Sequence, residues 1–148
     1  MASLTVLSIS AAELVLWLHV VAACVWIGGQ VVVAALIPVL RGHGQIASLA
    51  GQRYQLVAWP AYGILVVTGI INVGNAGLQW SHLLDSSAGR TLAVKLALVA
   101  LSGLAAGVHA FLQAPQSARR AWASVLLGST SLVAAVLAAL YGVAIAGA

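Results

Sequence analysis

Histidine and lysine side chains are the residues of this sequence best suited to chemistry, because nearly everything around them is apolar. His19 lies in the run LWLHVVAACVWIGGQ, residues 16–30, and no charged residue occurs between Glu13 and Arg41. A neutral imidazole suits copper and haem iron as a ligand, and in a membrane it also hydrogen-bonds neighbouring helices. For His19, a role in ligand binding or proton handling and a purely structural role both remain open.

The neighbours of His19 predict which face of its helix points inward. At about 100° per residue, His19, Ala23, Trp26 and Gln30 lie on one side of a helix. The pair Gly28–Gly29 borders that side, and small residues allow another helix to approach closely. We therefore expect the His19 face to lie inside a bundle of helices.

The composition places these residues in a membrane protein. The chain of 148 residues is 63% hydrophobic and 5% charged, whereas soluble domains contain about 25% charged residues. Six Lys and Arg residues against two acids are too sparse for nucleic-acid binding. One cysteine excludes an internal disulfide and a cysteine-pair metal site. The expected environment is the lipid bilayer.

Four apolar stretches are each long enough to cross a bilayer as a helix. We expect spans at about residues 12–40, 56–73, 91–112 and 121–146, all within one domain that covers residues 1–148. Polar connections join the spans, the first at 41–55 and the longest at 72–90. The sequence thus predicts an all-α fold, an integral membrane four-helix antiparallel bundle.

The positive charges predict the orientation of this bundle. The first and third connections hold four arginines, Arg41, Arg53, Arg119 and Arg120. The second connection holds Arg90, and Lys95 follows just inside the third span. Because cytoplasmic loops are enriched in Lys and Arg, we expect both termini and the second connection to face outward.

This topology predicts a polar cluster in the outer half of the membrane. Its members are Glu13, His19, His82, Asp85 and Lys95. Two imidazoles and a carboxylate, from His19, His82 and Glu13, are a possible ligand set for Cu(II). Lys95 either extends outward to the headgroups, or neutralises an anionic substrate, or pairs with one of the acids.

His109 belongs to the other side of the membrane. It lies near the cytoplasmic end of the third span, offset from His19 by roughly 15 Å along the membrane normal. The two histidines therefore should not share one metal ion or one haem iron. His109 is either a ligand in its own right or an interfacial side chain that extends to the headgroups.

Three sequence blocks together resemble the copper resistance D (CopD) family. The first is Leu18-His19 followed by Trp26-Ile27-Gly28-Gly29. The second is Gln52-Arg53-Tyr54 followed by Val67-Thr68-Gly69-Ile70-Ile71-Asn72, and the third is Gly89-Arg90-Thr91-Leu92 with Lys95 and Leu98. The resemblance covers about residues 16–112. It implies a helical inner-membrane domain for copper tolerance or copper movement, with a periplasmic or extracellular copper protein or other membrane subunits as possible partners.

Two alternatives stay open beside copper handling. The stretch Lys95–Val99, KLALV, is similar to the HemJ-type protoporphyrinogen oxidases, which implies a haem- or porphyrin-binding redox protein. In that case His19 and His109 would bind haem b and Lys95 would lie near a propionate. The second alternative is an accessory subunit, in which Gly103 and Gly107 provide a close-approach face for span one or for another protein's helix.

Overall fold

The computed structural model describes residues 9–40, 42–77, 80, 84–111 and 118–146. Four long helices account for nearly all of them: α1 (Ala11–Leu40), α2 (Gly44–Asn75), α3 (Ser87–Phe111) and α4 (Ala118–Ala146). All four are long and apolar enough to cross a membrane. The prediction of an all-α, multi-pass membrane protein is confirmed.

All four helices begin earlier than the predicted spans, α2 and α3 by the most. Residues 44–55, expected in a polar connection, form the first three turns of α2, and glutamine and arginine within them are good helix formers. Helix α3 begins at Ser87 instead of Thr91. The Ser86 hydroxyl accepts a hydrogen bond from the Gly89 backbone N–H at 3.0 Å, which is typical of a helix N-cap.

Small side chains form most of the core, and large apolar side chains cover the outside. Seven of the buried residues are alanines, namely Ala22, Ala58, Ala61, Ala105, Ala134, Ala135 and Ala138. Exposed leucines, isoleucines and valines occur on all four helices. In a bilayer such side chains face lipid, while small residues let helices pack closely.

A polar and aromatic cluster joins the helices near the middle of the bundle. The Trp26 indole N–H donates to the Ser102 hydroxyl at 3.1 Å, and that hydroxyl donates to the Ser131 carbonyl at 2.9 Å. The Trp26 ring packs against Trp59 and Tyr62, with centroid distances of 5.8 and 4.7 Å. We call these five residues the midpoint cluster.

The glycines of α3 pack against this cluster. A Cβ atom at Gly103 would collide with the Tyr62 ring, and one at Gly107 would lie 3.6 Å from Trp59. The Tyr62 hydroxyl also donates to the Val99 carbonyl at 2.9 Å. The glycine face was expected to receive span one or an outside helix, and that expectation was wrong, because it receives aromatic side chains of α2.

Candidate functional site

The midpoint cluster provides a common reference for depth along the bundle. His19 precedes Trp26 by seven residues, and Lys95 precedes Ser102 by seven. Because Trp26 and Ser102 are hydrogen-bonded and α1 and α3 run in the same direction, His19 and Lys95 lie at one level, about 10 Å from the cluster. We call this half of the bundle the His19 end.

His109 lies in the opposite half, which we call the His109 end. It follows Ser102 by seven residues, which places it about 10 Å beyond the cluster on the other side. The backbones of His19 and His109 are therefore about 21 Å apart along the axis. This separation exceeds the predicted one and agrees with the expectation that the two histidines do not share a ligand.

The hydrogen bonds of His19 determine which of its nitrogens carries the proton. Nδ1 lies 2.9 Å from the Thr68 hydroxyl oxygen, and that hydroxyl donates its single proton to the Ile64 carbonyl at 2.6 Å. With the hydroxyl proton on the Ile64 carbonyl, we infer that Nδ1–H of His19 is the donor to Thr68. A neutral imidazole with a proton on Nδ1 has its lone pair on Nε2, the arrangement that a second-shell partner gives to a metal-binding histidine.

A glycine makes room for this ring against α2. A Cβ atom at Gly69 would lie 3.2 Å from Cε1 of His19, so a larger residue would press on the imidazole. The Thr68 hydroxyl bonds the Ile64 carbonyl one turn earlier, a common arrangement for threonine in apolar helices. The pair Thr68–Gly69 thus holds and orients His19.

Lys95 is partly buried in the same half of the bundle. Its Nζ lies beside α4, 3.0 Å from where a Cβ atom of Gly142 would be, and it is within coulombic range of His19. The side chain extends toward the N-terminal end of α3, as helix geometry favours.

Asn72 contributes a further polar group to the His19 end. It follows Thr68 by one helical turn, on the same face of α2. Its Nδ2 atom is buried and has no hydrogen-bond partner in the part of the chain that the structure describes. A buried donor without an acceptor is costly, so the amide is available to a ligand.

The predicted metal ligands other than His19 do not join it in the described residues. Glu13 is exposed, and its carboxylate accepts hydrogen bonds from the Ser10 N–H and hydroxyl at 2.7 and 2.8 Å. Ser10 accepts the Glu13 N–H in return, which makes a capping box at the start of α1. His82 lies outside the described residues. Within them, no three His, Cys, Asp or Glu side chains are grouped.

His109 links two helices at its own end of the bundle. Its Nδ1 lies 2.9 Å from the Ser124 carbonyl oxygen and 3.1 Å from the Ser124 hydroxyl. The ring packs over Gly128, where a Cβ atom would be 3.7 Å from Cε1. These contacts give His109 a structural role between α3 and α4.

Two members of the site, Thr68 and Asn72, were not predicted as functional residues. Both occur in an apolar span four residues apart, a spacing that puts them on one helix face. Polar residues within a span usually face protein or a cavity. This four-residue spacing of two polar side chains in an apolar span could have identified Thr68 and Asn72 from the sequence.

Comparison with known proteins yields one match. A family model described as CopD, copper resistance protein D, matches residues 48–148. The matched part includes Thr68, Asn72, Lys95 and His109, whereas His19 on α1 precedes it. No curated protein and no solved structure matches the chain.

Proposed function

The chain belongs to the copper resistance protein D family, and on that basis we propose that it binds copper ions at His19 and takes part in copper movement across the cytoplasmic membrane. Copper is the cargo in this proposal. The observation that carries it is the 2.9 Å contact between His19 Nδ1 and the Thr68 hydroxyl, from which we infer a proton on Nδ1 and a lone pair on Nε2 that is available to a metal.

The donor chemistry favours Cu(II) at this site over tightly held Cu(I). Cu(I) prefers thiolate and thioether ligands, yet the chain has only one cysteine and one methionine. The cysteine, Cys24, is exposed. Imidazole and oxygen ligands suit Cu(II), and His82 stays a predicted second ligand.

The midpoint cluster limits how copper would cross the bundle. Ser102 and Ser131 are each 1% exposed and Trp26 is 2% exposed, so close-packed side chains separate the His19 end from the His109 end. Movement of copper through the bundle would require these side chains to rearrange. The proposed site is therefore reached from the His19 end.

The side of the membrane and the partner follow from this placement and from the charge pattern. With both termini outside, as the arginines predict, the His19 end faces outward. A periplasmic or extracellular copper protein is then the expected donor or acceptor of the ion.

Copper binding by matched histidine variants tests the proposal. We would purify the native chain, His19→Ala and His109→Ala in detergent and measure Cu(II) affinity by competition with a chelator. We expect His19→Ala to weaken binding by at least about tenfold and His109→Ala to retain it. Equal affinity of the native chain and His19→Ala would contradict the proposal, and so would equal losses in both variants.

A visible spectrum tests the haem alternative on the same samples. Haem b bound to histidine would give a Soret band that shifts when dithionite is added, and the band should disappear in the variant of the ligating histidine. We expect no such band in protein produced in haem-replete cells.

A further inference from the structure

The ammonium group of Lys95 poses an electrostatic problem for a copper site at His19. It lies about 6 Å beyond the level of the His19 backbone and within coulombic range of the imidazole. A copper ion on Nε2 would be repelled by this charge, and the repulsion is strongest in surroundings of low dielectric constant.

A second hydrogen-bond donor lies at the depth of this ammonium group. Lys95 Nζ packs against Gly142, which follows Ser131 by eleven residues and so lies about 16 Å from the midpoint cluster. Asn72 is one turn beyond Thr68, the partner of His19, which places it at about the same depth. Both groups are donors, and the Asn72 amide has no acceptor among the described residues.

The ligand set at His19 is also incomplete. Cu(II) favours a tetragonal arrangement of nitrogen and oxygen ligands, and the described residues supply no group of three metal-binding side chains. Other ligands are needed around the ion. An oxygen ligand with a negative charge would meet this need and would offset the charge of Lys95.

We propose that copper binds at His19 as a complex with a small carboxylate, which the Lys95 ammonium and the Asn72 amide hold. One carboxylate oxygen ligates the metal, and the carboxylate accepts hydrogen bonds from Lys95 Nζ and Asn72 Nδ2. A carboxylate has enough lone pairs for both tasks, and hydrogen bonds to charged groups are the stronger ones. This inference rests on the proposed function, and it makes the cargo a copper–carboxylate complex.

The test measures how acetate changes copper affinity. The full chain in detergent is titrated with Cu(II) in perchlorate buffer, with and without acetate, and a competing chelator sets the free copper concentration because acetate binds copper in solution. We expect acetate to raise the affinity of the native chain about tenfold. Lys95→Met and Asn72→Leu should abolish most of this increase.

A second variant that also loses one positive charge distinguishes an effect of Lys95 itself from an effect of net charge. Arg90 is an exposed cation on the same helix that donates to the Leu84 carbonyl at 3.2 Å. Arg90→Met should keep the acetate effect. If Lys95→Met does not fold, Lys95→Gln retains a polar end group and serves in its place.

The remaining outcomes of the acetate experiment would overturn either this inference alone or the proposed function as well. An acetate effect of equal size in Lys95→Met and in the native chain would overturn the inference, as would an equal effect of chloride at the same concentration. Copper binding that needs His19 but does not respond to acetate would overturn the inference and leave the proposed function intact. Absence of copper binding in every buffer would overturn both.

Discussion

His19 and His109 have similar positions in the bundle but different hydrogen-bond partners. Each lies seven residues from the midpoint cluster, each bridges consecutive helices through Nδ1, and each packs over a glycine. His109 bonds a backbone carbonyl and a hydroxyl of one serine. His19 bonds a hydroxyl that itself donates to the Ile64 carbonyl, and near it lie a lysine and an amide that has no hydrogen-bond partner among the described residues. These neighbours, more than the histidine itself, mark the His19 end as the candidate site.

The largest expected effect concerns the cluster that separates the two ends. Trp26→Ala would leave a cavity and remove a hydrogen bond to Ser102, so we expect the free energy of unfolding to fall by about 3–5 kcal/mol. Unfolding in mixed micelles measures this loss. Trp17→Ala, at a side chain that is 60% exposed, is the control and should change stability little. Similar stability of the two variants would mean that the cluster does not hold the ends apart.

The hydroxyl partners of the two histidines give the sharpest comparison. Thr68→Val keeps the shape of the side chain and removes the acceptor for His19 Nδ1–H, so copper affinity should fall about 10–100-fold. Ser124→Ala removes the hydroxyl beside His109 and should leave copper affinity as it is. Chelator competition measures both. Equal affinities would show that Thr68 does not position a metal ligand.

Substitution of the glycines that pack against the His19 and His109 rings should give a smaller difference in copper affinity. Gly69→Ala would bring a methyl group to 3.2 Å from His19, whereas Gly128→Ala would place one at 3.7 Å from His109, an ordinary contact distance. We expect Gly69→Ala to weaken copper binding by less than Thr68→Val does. Gly128→Ala should stabilise α4 by about 0.5–1 kcal/mol, because alanine is the better helix former. Weaker copper binding in Gly128→Ala would contradict the assignment of the site.

The smallest effect is expected at Glu13. Glu13→Gln weakens the capping box of α1 and should lower the thermal stability slightly, with copper affinity unchanged. Ser10→Ala removes the other half of the same box and should give a similar shift. A marked loss of copper affinity in Glu13→Gln alone would instead support the predicted role of Glu13 as a metal ligand.

Much of the fold could be predicted because the apolar stretches are long and charges are rare. The inward face of α1 was predicted from the spacing of His19, Trp26 and Gln30, and Trp26 is buried in the structure. The start of α2 was harder, since residues 44–55 are polar and yet helical. The change from apolar to polar residues shows where a helix leaves the hydrocarbon core of the membrane. The backbone hydrogen bonds of the helix can continue beyond that point.

The sequence by itself determined the membrane environment, the four helices and the family resemblance. These follow from hydrophobicity and from the constant rise of a helix, which are local properties. Only the tertiary structure decided that His19 bonds Thr68, that the Asn72 amide has no acceptor in the described part of the chain and that Lys95 packs against Gly142. Such contacts depend on how the helices are rotated and shifted against one another, and that choice is made by side chains distant in sequence.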